Sequence, residues 1–186
     1  MCWFLSVALM SALASGPSSE RPAAHSPNVA KPLTSPLLTA PDRRVRTTDS
    51  RIQRLLEDGM QRSVTFAQLV TALNTTDVIV YLEPVHYLRN SVAGRMILLP
   101  VGASQRYLRI QIRSDLTAVD TIALMGHELQ HALEIAAARE VRDESALVSL
   151  YTRIGFGMSD GGSGTHNFDT AAAQRTGRQV RFELAG

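Results

Sequence analysis

The sequence predicts an α+β fold: a small antiparallel sheet packed on one long helix, with additional helices around them. Three observations predict it. Residues 78–82, 95–99 and 106–113 are β-branched or alternating runs of strand length. Apolar residues at helical spacing lie on both sides of them, from about 50 to 73 and from about 118 onward. Residues 127–131, His-Glu-Leu-Gln-His, stand inside the most apolar of the helical stretches.

The elements follow in order. Asp49 or Ser50 can cap a helix whose inner face is Ile52, Leu55, Leu56 and Met60. Ser63 begins a second helical stretch carrying Phe66, Leu69, Val70 and Leu73, broken by the Asn-Thr-Thr-Asp run at 74–77. The first strand, 78–82, is closed by Pro84, and the second occupies 95–99. In the third, 106–113, Leu108, Ile110 and Ile112 share one face while Tyr107, Arg109, Gln111 and Arg113 share the other, the signature of a half-buried antiparallel strand. Thr117 and Asp120 resemble a capping box opening the long helix, which should end near Arg139 and Glu140. A short helix over 143–151, a glycine-rich mobile loop over 155–164, a final helix over 168–177 and a tail or short strand over 179–184 complete the expectation.

At 186 residues the chain suits one domain with its own core, and 45% hydrophobic with 19% charged residues describes a soluble globular protein. A net charge of +2, almost all of its positive side supplied by arginine with Lys31 the sole lysine, gives no basic run with interleaved aromatics and argues against a nucleic-acid partner. Residues 2–14 form an apolar run ending in Ala12-Leu13-Ala14, an A-x-A-like cleavage site, so residues 1–14 are expected to be a signal peptide and the protein secreted, periplasmic or in the cell envelope. The run is too short to span a membrane. Cleavage would remove Cys2, the single cysteine, and with it any disulfide or thiolate ligand. Residues 15–46, with six prolines, read as a Pro/Ser-rich linker or short pro-segment in which His25 is solvated; the folded domain is expected over 47–186.

Four residues make about 1.1 helical turns, so His127 and His131 project from one helix face and can reach one metal ion, with Glu128 beside them as a general base. Ile122, Leu129, Leu133 and Ala136 line an apolar stripe on the same helix, and the stretch carries no Lys or Arg before Arg139. Two His and a Glu buried there require a partner. Zinc suits such ligands, and it lowers the pKa of a bound water to about 7.

The segment Gly126-His127-Glu128-Leu129-Gln130-His131-Ala132 resembles the active-site helix of zincin metallopeptidases. The resemblance implies a zincin-like fold, in which an antiparallel sheet precedes the helix and its edge strand binds an extended substrate. It implies His127 and His131 as Zn2+ ligands, Glu128 as catalytic base, and a peptide or protein substrate. The third ligand departs from the familiar extension, because Glu134 and Ala137 stand where a Gly and a third His would be. Asp169, followed by the small run 170–173, is the preferred third ligand; Glu144 comes next, and Glu134 is either a ligand or an acceptor orienting a ligand His. His166 and Tyr151 are weaker candidates for a ligand or an oxyanion donor. The function expected is zinc-dependent peptide hydrolysis. The alternatives are a non-catalytic zincin-like module that binds metal or peptide, and an interaction domain in which the motif is accidental.

Overall fold

The alternation in residues 106–113 is realised as a central strand around which the sheet is built. The structure is a computed structural model and describes residues 5–7, 43–88, 92–100, 102, 104–159 and 166–186. The expected signal-peptide cleavage site at 12–14, most of the expected linker and His25 lie outside the described residues. The elements are β1 (Leu5–Val7), β2 (Val45–Arg46), α1 (Ser50–Arg62), α2 (Val64–Leu73), β3 (Val78–Val85), β4 (Gly94–Leu98), β5 (Arg106–Arg113), α3 (Ala118–Ala137), α4 (Glu144–Ile154), β6 (Phe156–Ser159), β7 (His166–Asp169) and α5 (Ala171–Ala185). This is a mixed α and β architecture, and β2 places the last two residues of the expected linker in the sheet.

The main sheet has the order β2-β3-β5-β4, and it is mixed rather than antiparallel. β2 and β5 both run parallel to β3, and only β4 is antiparallel, on the outer edge of β5. The period of a strand fixes which side chains share a face but not the direction of its neighbour, and the long connection from β3 through β4 permits a crossover. One face of the sheet, with Val78, Val80, Leu82, Met96, Leu108, Ile110 and Ile112, joins Phe66, Ile122, Leu129 and Val180 from the helices in a single core.

Local capping fixes where α3 begins. The Thr117 hydroxyl accepts from the Asp120 N–H at 3.1 Å and donates to the Asp120 carboxylate at 2.7 Å. Its other end has no basic residue in the last turn. Arg106, entirely buried at the start of β5, serves that end instead: its Nη1 donates to the Ile135 and Ala138 carbonyls at 2.7 and 2.8 Å, and its Nη2 to Ala136 at 3.1 Å. Asp77 pairs with the same guanidinium at 2.7 and 2.9 Å, and the hydrogen bond from Arg106 holds the Asp77 carboxyl below the ordinary carboxylate range. Arg106→Ala strands these carbonyls, so it is expected to lower unfolding free energy by about 3–5 kcal/mol. Urea denaturation with an unchanged m-value would check this.

Two expectations fail after α4. Residues 155–164 were expected as a mobile loop, yet 156–159 form β6, which pairs antiparallel with β7. Neither Phe-Gly-Met-Ser nor His-Asn-Phe-Asp alternates apolar and polar residues, so the hairpin carries no period-2 signal. The expected tail at 179–184 is instead the second half of α5. Gly177 looks like a stop, but Ala173, Gly177, Val180 and Leu184 are spaced four, three and four apart and are the buried face of one continuous helix. α5 packs closely on α3: a Cβ added at Gly126 would lie 2.9 Å from a Val180 methyl.

Candidate metal centre

The helix α3 is buried without a break from Thr121 to Leu129, which places His127 and Glu128 in the interior, and His131 follows one turn later. His127, Glu128, His131 and Asp169 are each fully inaccessible to solvent. The two imidazoles meet edge to face with ring centroids 4.9 Å apart. Asp169 comes from the end of β7, immediately before Thr170, the residue that caps α5. Its Oδ1 lies 3.6 Å from His127 Nε2 and 3.8 Å from His131 Nε2.

These three residues offer ligand atoms all within 4.8 Å of one another, the group among the described residues that could hold a metal ion. A tetrahedral ion about 2.0–2.1 Å from each ligand needs ligand atoms about 3.4 Å apart, so small side-chain shifts would complete the cage. The donor set fits a divalent cation in a second respect. His131 Nε2 and both Glu128 oxygens are buried with no hydrogen-bond partner among the described residues. Buried polar atoms in that state are costly, and a cation with its water would satisfy them.

Supporting hydrogen bonds aim the ligands. His131 Nδ1 donates to Glu134 Oε2 at 2.8 Å, which leaves the lone pair on Nε2, the nitrogen that faces Asp169. Glu134 Oε1 accepts from the Thr170 hydroxyl at 2.7 Å, tying α3 to the segment that carries Asp169. The Thr170 N–H donates to Asp169 Oδ1 at 2.7 Å, and Gln174 Nε2 donates to Asp169 Oδ2 at 2.9 Å. Glu134→Gln should reduce metal affinity about 10- to 100-fold, because the carboxylate that orients and polarises the ligand imidazole is lost. Competition titration against a chromogenic chelator measures it, and an unchanged melting temperature of the metal-free variant separates affinity from folding.

The electrostatics suit metal binding. Burial, reinforced by the adjacent His131, holds the His127 imidazole down at about 3, so it is neutral at physiological pH. Burial raises Glu128 to about 7; His131 opposes that rise and the Asp169 carboxylate adds to it. Burial also raises Asp169, against the hydrogen bond from Gln174. Glu128 touches the sheet: a Cβ built on Gly94 would lie 3.0 Å from Glu128 Oε1, so β4 passes directly against this carboxylate.

Of the remaining sequence candidates, Glu134 approaches His131 through Nδ1 and stands outside the triad, while Glu144 opens α4 and is not in the group. Tyr151 is a core residue: its ring packs against His131 at 5.4 Å and stacks on Phe168 at 5.8 Å, and its hydroxyl donates to the His131 carbonyl at 3.4 Å. Burial, with the nearby Glu134 and Glu128 carboxylates, drives its pKa well above the ordinary tyrosine value. His166 opens β7, and its side chain lies outside the described residues. Thr170, Gln174 and Gly94 were not anticipated. Thr170 ahead of an alanine run is a recognisable helix cap, whereas nothing local marks Gln174 or Gly94.

Comparison of the chain with protein-family models, curated proteins and solved structures finds no match.

Proposed function

We propose that the protein is a zinc-dependent peptidase of zincin-like type, acting outside the cytoplasm. One observation carries this reading: a buried His127–His131–Asp169 triad with the unpartnered Glu128 carboxylate adjoining it. A zinc ion held by the triad would supply Lewis acidity and a water acidified to near neutral pH. Glu128 would take the proton of that water on a carboxylate oxygen and return it to the leaving amine nitrogen. Its pKa of about 7 in the metal-free site favours both directions of transfer near neutrality. Glu134 would keep His131 in the ligating tautomer, and the Thr170 N–H and Gln174 would hold Asp169 in place.

Full burial of all four residues favours a second reading, a module that holds a metal without cleaving peptides. Zinc-loaded protein incubated with a quenched-fluorescence peptide library separates the two. Turnover that disappears on chelation and returns with added zinc supports the peptidase. Stoichiometric zinc binding with no turnover supports the module.

A further inference from the structure

We infer that the slot between β4 and β7 is a binding site for an extended peptide, and that in the full chain residues 5–7 occupy it as an internal plug. The inference rests on the peptidase reading for its functional meaning, but the slot itself is defined by backbone placement. β7 has β6 on one edge and β1 on the other, with Leu5 opposite Phe168, Ser6 opposite Asn167 and Val7 opposite His166. β4 is the terminal strand of the main sheet, and β1 lies beside it. The two strands flanking β1 are therefore those that border the candidate metal centre. β7 ends in Asp169, next to the residue paired with Leu5, and β4 contributes Gly94, whose Cα adjoins Glu128.

A second observation agrees. A peptidase must admit a polypeptide to its reacting groups, yet His127, Glu128, His131 and Asp169 have no solvent exposure in the full chain. A segment already lying extended beside both bordering strands holds the position that a substrate would take. Strand addition of this kind uses main-chain hydrogen bonds, which any extended sequence can supply, so a three-residue strand is replaceable by another peptide. Residues 5–7 also fall within the run read as a signal peptide, so cleavage after Ala14 would vacate the slot and couple export to activation.

The test uses the full chain with Ser6→Pro and Val7→Pro, which remove two backbone donors and disfavour strand pairing. The probe is a fluorescent peptide carrying residues 4–8 between lysine pairs, titrated in the Glu128→Gln background so that it is not cut. The proline variant should bind it at least about tenfold more tightly, since a resident occupant reduces apparent affinity by the fraction of open slot. Amide exchange at 166–169 should be slow in the unsubstituted chain, fast in the proline variant, and slow again with peptide. Equal affinity, or binding by neither chain, with unchanged exchange at 166–169 overturns the inference. With Glu128 intact, the prolines should raise turnover by a similar factor. Peptide discrimination without any turnover upholds the slot and defeats the peptidase, whereas equal turnover and equal peptide affinity defeat the slot and uphold the peptidase.

Discussion

Glu128→Gln is expected to reduce peptide hydrolysis by about 10²- to 10⁴-fold while the protein still binds metal. The amide keeps the size of the side chain against Gly94 but cannot accept a proton from water. Steady-state kinetics alongside metal analysis checks both halves. Activity equal to that of the unsubstituted protein would remove Glu128 from the chemistry.

The same variant has a thermodynamic signature in metal-free protein. Glu128 has a folded pKa of about 7 against an ordinary 4.5, so the unfolded state releases its proton first and Glu128 makes stability fall as pH rises from 4.5 to 7. His127 works in the opposite sense: its folded pKa of about 3 against 6.5 makes stability fall as pH drops from 6.5 towards 3. Between 4.5 and 6.5 the two slopes oppose each other. Glu128→Gln leaves only the histidine slope. In chelator, its stability relative to the unsubstituted chain should therefore grow from nearly zero below pH 4.5 to about 3 kcal/mol above pH 7. Urea denaturation at a series of pH values reads this difference directly.

The second large effect is expected at Asp169. Asp169→Ala removes the one carboxylate within reach of both imidazoles and leaves the Thr170 N–H and Gln174 side chain without their acceptor. Metal affinity should fall by more than about 100-fold, beyond the range typical of residues that only support a ligand. The rise in melting temperature produced by zinc in the unsubstituted protein should vanish, because binding to the native state alone stabilises it by mass action. Glu144→Ala, at the start of α4, should leave both measurements unchanged. Calorimetric titration with zinc distinguishes the two variants.

How much of this was legible in the sequence differs by element. The helix face that carries His127 and His131 could be read from five adjacent residues, because a helix of regular pitch fixes their relation. The strand at 106–113 was equally plain, since its alternation continues for the whole strand. Asp169 was harder. It stands 38 positions beyond His131, and the hairpin that delivers it is built from two four-residue strands without alternation. The clue was the run of small residues after it, which permits α5 to lie close on α3. Sheet direction was not legible, because side-chain patterning is the same for parallel and antiparallel neighbours in a half-buried strand. The buried Arg106 was also hidden: one arginine at a strand start gives no local sign that it closes a helix 29 residues later.

The central claim is that His127, His131 and Asp169 together hold one metal ion. X-ray absorption at the zinc edge, on protein loaded with one equivalent of zinc, tests it most directly. The account predicts two imidazole nitrogens at about 2.0–2.1 Å and a carboxylate oxygen at about 2.0–2.2 Å, with the imidazole signal lost in His127→Ala. A shell without imidazole, or zinc that does not bind stoichiometrically to the folded chain, would contradict it.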